Sequence, residues 1–186
     1  MDDLRKAMKK VQDKERYEHT LSVAYTAACL AMLNGVDTQK ALRAGLLHDC
    51  AKCISAEQKL SLCKKYDIEV SPLERRNPSL LHAKLGATLA REKYGEKDED
   101  VLNAITNHTT GRSEMSMLEK IIFIADYIEP GRSKAQNLAK IRKMAFSDIE
   151  EALVTILQDT LIYLQNSGTE IDSATQETLE YYLQKK

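Results

Sequence analysis

The sequence contains no tryptophan and only two phenylalanines among 186 residues. Proteins that bind single-stranded nucleic acid stack bases on aromatic side chains, so this scarcity argues against such binding as a main role. The chain also lacks an excess of charge of either sign, because 27 lysines and arginines stand against 28 aspartates and glutamates, for a net charge of -1. A broad basic surface for duplex nucleic acid or for a membrane is therefore not expected.

No apolar run is long enough to cross a bilayer, and residues 1–14 are charged and amphipathic without the apolar core of a signal peptide. We therefore expect a cytoplasmic protein with no membrane partner, whose four cysteines are reduced. Cys50 and Cys53 have the spacing of a redox or zinc pair, but no second pair and no βαβ pattern accompany them. Two small, semi-buried thiols are the favoured interpretation.

No segment alternates apolar and polar residues as a strand would, and the chain contains no internal repeat. The fold class that the pattern predicts is all-α, as one helical domain over residues 1–186. Predicted helices cover residues 15–34, 55–66, 79–94, 98–107, 116–128, 138–145, 148–164 and 174–184, and a further helix capped by Asp37 contains Ala41, Gly45 and His48 on one face.

Two local predictions concern the ends of helices. Ser55, Ser79, Ser116 and Ser173 are expected to cap the helices that follow them, because a serine side chain can accept hydrogen bonds from the first backbone amides. Ser55 with Gln58 and Ser116 with Glu119 have the spacing of a capping box. Residues 67–77 contain Pro72 and two arginines and precede a second proline, so we expect an irregular, positively charged loop that could serve as a lid.

Six polar residues occur where the pattern otherwise predicts core or a helix end: His19, His48, Asp49, His82, His108 and Asp126. They include all four histidines of the chain. Neutral imidazoles and ionised carboxylates together bind transition metals well, whereas buried carboxylates without a partner are rare. The set is therefore predicted to ligate metal. Any single histidine could instead be a satisfied core residue, and Asp126 could instead form an ion pair with Arg132 or Lys120.

Positive charge and hydroxyl groups near these residues suit phosphate binding. Arg132 offers a planar fork for a phosphate, and Lys52 follows Asp49 by three residues. Thr109 and Thr110 offer hydroxyl groups, and the turn at Gly111 offers backbone amides. The alternative is that Arg132 is solvated and Lys52 is a surface residue.

The order of these residues resembles the HD-domain metal-dependent phosphohydrolases, which are helical bundles named for an adjacent histidine and aspartate. Longer segments resemble one branch, the symmetrical bis(5'-nucleosyl)-tetraphosphatases of HD type, or YqeK family. The segments are residues 16–20, 45–52, 81–87, 107–111 and 125–132. The run Glu-Pro-Gly-Arg at 129–132 and residues 81–87 are the most specific of them. At residues 171–175 the chain departs from the branch, which often has a histidine-proline pair where Asp172 and Ser173 stand here.

The resemblance implies a substrate, a metal and residue roles. The substrate would be diadenosine tetraphosphate or a similar dinucleoside polyphosphate, and the product a nucleoside diphosphate. The cofactor would be one or two divalent or trivalent transition metal ions, with iron as the expected metal. His19, His48, Asp49 and Asp126 would hold the tightest ion, while His82 and His108 would either complete a second site with Asp49 bridging or bind phosphate. A homodimer is also implied.

By the same resemblance the catalytic residues would be Asp49, Lys52, His82 and His108. The substrate-binding residues would be His19, Lys52, His82, His108, Thr109, Asp126 and Arg132. Two other functions fit the pattern: an HD phosphohydrolase of mononucleotides or cyclic dinucleotides, and a non-catalytic sensor that binds metal and nucleotide.

Overall fold

The structure is a computed structural model that describes residues 1–135, 137–168 and 170–185. Within these ranges the chain is helical and contains no strand, which confirms the predicted fold class. The helices are α1 (Asp2–Val11), α2 (Lys14–Leu33), α3 (Thr38–Leu47), α4 (Ala56–Lys65), α5 (Pro72–Arg76), α6 (His82–Tyr94), α7 (Glu99–Asn107), α8 (Met117–Ile128), α9 (Leu138–Ala145), α10 (Ile149–Asn166) and α11 (Ser173–Gln184), with a 3₁₀ turn at Pro78–Leu81.

The centre of the bundle is formed by α2, α3, α7 and α8, which pack against one another. Helices α2 and α3 approach closely at Gly45, where an added Cβ would lie 2.6 Å from the Cα of Ala24. The small residues on the face of α3 thus allow the close packing that the sequence indicates. Helix α8 carries the most apolar stretch, and Ile121, Ile122 and Ile124 are fully buried in it.

Several helix ends form as the sequence predicts. Asp37 accepts hydrogen bonds from the first backbone amides of α3, as predicted. Asp98, predicted as the first residue of its helix, is the residue that caps α7. Ser116 and Glu119 form a reciprocal capping box at the start of α8, in which each side chain bonds the other residue's backbone amide. Helix α9 runs over the residues predicted for it.

Two of the predicted serine caps are wrong. Residues Pro78–Leu81 form a 3₁₀ turn, so α6 begins at His82, and the carbonyl of Ser79 accepts a hydrogen bond from the ring of His82. At the other end of the chain, Asp172 caps α11 by accepting from the amide of Ala174. A carboxylate one residue earlier takes the position assigned to Ser173.

The predicted loop at 67–77 is also partly wrong, because residues Pro72–Arg76 form the short helix α5. Ser71 and Glu74 make a capping box, and Pro72 occupies the first helical position, where its missing amide costs nothing. Arg76 in this helix pairs with Glu170 at 2.5 Å. The segment is therefore folded and tied to the chain before α11.

The two cysteines of the Cys50–Cys53 segment differ in exposure. Cys50 is buried and Cys53 is exposed, and both are free thiols. The prediction that both are semi-buried is therefore wrong. Among the described helices, none combines the length and the apolar character that a membrane span requires.

Candidate metal centre

Three of the four histidines lie at helix ends, where their rings bond to nearby backbone. His48 follows α3, His82 begins α6 and His108 follows α7. In each, Nδ1 lies 2.6–2.7 Å from the carbonyl oxygen three residues earlier, those of Gly45, Ser79 and Ile105. A neutral imidazole has one N–H, so donation from Nδ1 leaves the lone pair on Nε2. All three rings therefore present Nε2 as a ligand atom.

His19, in the second turn of α2, is oriented by a side chain instead. Its Nδ1 lies 3.1 Å from Oε1 of Glu129, and its Nε2 lies 3.0 Å from Oδ1 of Asp126. With the proton on Nδ1, Nε2 and the aspartate oxygen are two lone-pair atoms facing each other, and they do not have the geometry of a hydrogen bond. Such an arrangement is stabilised by a cation between or beside the two atoms.

Asp49 lies at the centre of the four imidazoles. Its Oδ2 is 3.4 Å from Nε2 of His48 and 3.8 Å from Nε2 of His19. Its Oδ1 is 3.4 Å from Nε2 of His82 and 3.7 Å from Nε2 of His108. The residue is 2% exposed. The two oxygens of one carboxylate therefore face two different pairs of histidines.

Several buried ligand atoms in this cluster have no hydrogen-bond partner among the described residues. They are Nε2 of His19, Nε2 of His48 and Oδ1 of Asp49. In addition, Nε2 of His82 and Nε2 of His108 are 3.2 Å apart, with both Nδ1 protons committed to backbone. Buried polar atoms left this way cost free energy, whereas a borderline transition metal takes N and O ligands of this kind. The donor set fits a metal ion.

The ligand atoms form two overlapping groups, and within each group all atoms lie within 4.8 Å of one another. The first comprises His19, His48 and Asp126, and the second comprises His48, Asp49 and His108. All six residues predicted to ligate metal are thus brought to one place, with His82 joined to the second group through its contacts with Asp49 and His108.

Electrostatics keeps the cluster in the protonation states that metal binding needs. Burial by itself raises the pKa of Asp49, but its interactions with His48 and His108 outweigh burial and hold that pKa well below the usual range. Burial above all, followed by the nearby His108 ring and the charge of Lys52, lowers the pKa of His82 to about 3. The carboxylate is therefore ionised and the His82 ring neutral at physiological pH.

Asp126 and Arg132 form an ion pair, with Nη2 of the arginine 2.7 Å from Oδ1 of the aspartate. Burial opposes ionisation of Asp126, yet His19, His48 and Arg132 hold its pKa far below the usual value. The ion pair of Asp126 with Arg132, which the sequence offers as an alternative to metal ligation, is present together with the contacts to the histidines. The other possible partner, Lys120, pairs with Glu150. The Arg132 side chain is 42% exposed, so a ligand can still reach it.

Lys52 belongs to the cluster and is not a detached surface residue. Its Nζ lies 3.2 Å from Nε2 of His82, where it can donate to the ring's lone pair. Thr109 and Thr110 are half-buried in the turn after His108, but the Thr110 hydroxyl donates to the carbonyl of Gly111.

Three residues near the cluster were not identified from the sequence. Arg16 Nη1 donates to Oδ2 of Asp49 at 2.8 Å, and Gln12 Nε2 donates to the Asp49 carbonyl. Glu129, 3% exposed, contacts His19 as described above. The sequence does contain a pattern that could have identified Arg16, since it precedes His19 by three residues and so lies on the same face of the helix. Glu129 follows the apolar α8, so the argument from buried charge that found Asp126 applies to it too.

An all-helical bundle with adjacent histidine and aspartate at a metal-type cluster defines the class of HD-domain proteins. The family model described as "HD domain" matches residues 16–131. The symmetrical bis(5'-nucleosyl)-tetraphosphatase of Halalkalibacterium halodurans is 43% identical over 151 residues, which is 81% of this chain and 80% of the relative. The enzyme of the same name from Staphylococcus aureus is 37% identical over 180 residues, 96% of this chain and 91% of the relative.

The fold comparison agrees. A Clostridium acetobutylicum crystal structure, described as a predicted HD superfamily hydrolase involved in NAD metabolism, superposes with a TM-score of 0.95 at 40% identity. It covers 100% of this chain, and the chain covers 97% of it. The chain belongs to the HD-domain family and, within it, to the family of symmetrical bis(5'-nucleosyl)-tetraphosphatases.

Proposed function

We propose that the protein is a metal-dependent hydrolase that cleaves dinucleoside tetraphosphates, diadenosine tetraphosphate in particular, symmetrically into two nucleoside diphosphates. The observation that carries the proposal is the Asp49 carboxylate, whose two oxygens face two pairs of imidazole Nε2 atoms in a buried cluster. The names of the relatives at 37–43% identity supply the substrate and the symmetry of the cut.

The proposed metal is iron, as one or two ions. His19, His48, Asp49 and Asp126 are assigned to the first ion, and His82 and His108 to a second ion that shares Asp49, or to phosphate. When bound, such a metal supplies positive charge at phosphate oxygens and lowers the pKa of a bound water.

The chain's own residues then position the polyphosphate. Lys52 and Arg132 are assigned to bind its oxygens, because both are cationic side chains in contact with the cluster and the net charge of -1 gives no broad attraction for a polyanion. Thr109 contributes a hydroxyl donor. In the hydrolysis, the oxygen of water bonds to phosphorus and the anhydride P–O bond breaks, with its electron pair leaving on a nucleoside diphosphate, while the protons of the water are released to solvent. Such a leaving group is stable as an anion and needs little proton donation.

Product analysis tests the function. After limited turnover of diadenosine tetraphosphate with iron, manganese or cobalt, chromatography should show ADP as the sole nucleotide product. In oxygen-18 water the label should enter phosphate and not ribose. Equal amounts of ATP and AMP would refute the symmetrical cut, turnover of mononucleotides or cyclic dinucleotides alone would assign another substrate, and binding without turnover would indicate a sensor.

The proposal extends to assembly and location. We assign residues 1–186 to one HD-type domain in a cytoplasmic homodimer. The exposed side chains of Tyr25, Met32 and Leu33, at 49%, 71% and 56% exposure along α2, support a protein contact there. Light scattering should give twice the monomer mass of 21.0 kDa. A monomer at micromolar concentration would contradict the dimer without affecting the hydrolase assignment.

A further inference from the structure

We propose that Glu129 is a positioning residue that couples the metal cluster to the turn carrying Arg132. The inference rests on the proposed function, because it concerns how the metal and the phosphate-binding arginine are held together. Glu129 ends α8 and is 3% exposed. A buried carboxylate needs partners for both oxygens, and here the two partners belong to different parts of the site.

The first oxygen orients His19. Oε1 of Glu129 lies 3.1 Å from Nδ1 of His19, whose other nitrogen faces Asp126 and Asp49. The other three histidines bond backbone carbonyls through Nδ1, so among the described histidines His19 alone has a carboxylate partner there. A carboxylate acceptor fixes the tautomer and makes the opposite nitrogen a more basic ligand.

The second oxygen holds the turn. Oε2 of Glu129 accepts a hydrogen bond from the amide of Gly131 at 2.5 Å. A Cβ on Gly131 would lie 3.0 and 3.1 Å from the two carboxylate oxygens, so a side chain there would crowd the carboxylate. Arg132 is the next residue after Gly131. The carboxylate that orients His19 therefore also fixes the position of the backbone from which the Arg132 side chain extends.

Arg142 of α9 holds the turn from its other side. Its guanidinium donates to three backbone carbonyls, at 2.8 Å to Ile128, 2.8 Å to Glu129 and 2.9 Å to Arg132. Arg142 therefore supports the backbone of the turn without contacting the metal cluster. Variants of Glu129 and Arg142 can therefore be told apart. Loss of Arg142 should disturb the turn directly, whereas loss of Glu129 should disturb both the turn and the orientation of His19.

Replacement of Glu129 by glutamine tests the coupling with little change of volume. The amide has one acceptor oxygen, so it can bond either His19 or the Gly131 amide, and its NH₂ group then faces the other donor. The matched control is Glu96→Gln. Glu96 is also buried and bonds Arg43 at 2.8 Å and two backbone amides, but none of its partners belongs to the site.

Metal affinity is measured by competition of Mn²⁺ against a chelator, at a temperature where thermal melting shows each variant folded. Glu129→Gln should raise the Mn²⁺ Kd by about 10–100-fold, the range for lost partners of metal ligands. Glu96→Gln should leave the Mn²⁺ Kd unchanged, because none of the partners of Glu96 contacts the metal cluster. Arg142→Ala should raise KM and should change the Mn²⁺ Kd less than Glu129→Gln does, because Arg142 reaches the cluster only through the backbone of the turn. An unchanged Kd in Glu129→Gln overturns the inference, whereas a wild type that binds no metal overturns the proposed function instead.

A second measurement needs no variant of Glu129. In metal-free wild type, ¹⁵N NMR of the imidazole rings should show His19 with its proton on Nδ1, as assigned by comparison with His19→Asn. A proton on Nε2 would contradict the inference even if Glu129→Gln does not fold.

Discussion

Asp49 is the residue on which the metal assignment depends most, because both of its oxygens face imidazole nitrogens. Asp49→Ala should reduce metal content to background and abolish hydrolysis, since both pairs of histidines lose the carboxylate that they face. Elemental analysis of the purified variant measures the metal. The control is Asp100→Ala, an exposed aspartate paired with Lys40, which should keep both metal and activity. Full metal content and full activity in Asp49→Ala would contradict the scheme.

At Arg132 the prediction concerns shape more than charge. Arg132→Lys keeps a cation but loses the planar fork, so kcat/KM should fall by an amount that corresponds to about 1–3 kcal/mol. Metal content should stay at the wild-type level, because the arginine is not a ligand. Steady-state kinetics with saturating metal provides the measurement, and unaltered kinetics would return Arg132 to a purely structural partner of Asp126.

The cysteines should react according to their burial. Cys50 is buried and donates to the carbonyl of Gly86, and burial raises the pKa of its thiol to about 12. At pH 8 roughly one such thiol in ten thousand is ionised, so it should not react with iodoacetamide. Cys29 and Cys53 are exposed and should be alkylated. Mass spectrometry of the folded protein should find labels on these two and none on Cys50.

At the scale of helices, the contact between α2 and α3 should tolerate no added methyl group. In Gly45→Ala the new Cβ would lie 2.6 Å from the Cα and 3.0 Å from the N of Ala24, which are backbone atoms that cannot yield easily. We expect a loss of about 1–3 kcal/mol in the free energy of unfolding, as for overpacked cores. Urea unfolding followed by circular dichroism measures it.

The control for this prediction is Gly86→Ala in α6. There the nearest atoms would be 3.5, 3.5 and 3.7 Å from the new Cβ, which is ordinary contact. Alanine is the better helix former by up to about 1 kcal/mol, so this variant should be as stable as wild type or more stable. Equal losses at both glycines would show that helix packing does not explain Gly45.

The sequence predicts helices better than it predicts the connections between them. Apolar spacing placed α2, α7, α9 and α10 within a residue or two of their observed ends, because burial of one face decides a long helix. It failed at 67–81, where Pro72 starts a helix instead of preventing one and the Ser79 carbonyl is used by the ring of His82. Those outcomes depend on contacts that local residue preferences do not contain.

For the molecule as a whole, the sequence allowed the metal-ligand residues to be predicted, but not which residues contact and orient them. The six predicted ligands could be identified because histidine and buried aspartate are scarce and chemically distinctive. The pairs Arg16–Asp49 and His19–Glu129 join residues 33 and 110 positions apart. No local pattern specifies such distant pairs. The first forms when α2 packs against α3, and the second when α2 packs against α8.

The ion pair between Asp126 and Arg132 makes the affinities for metal and for nucleotide interdependent. A cation drawn to Oδ1 of Asp126 weakens that oxygen's attraction for the guanidinium, and a phosphate that takes the guanidinium leaves the oxygen more available to the cation. Linkage requires each ligand to raise the affinity for the other by the same factor. The Kd of Mn²⁺ should therefore fall as ADP is added, and this response should disappear in Arg132→Ala.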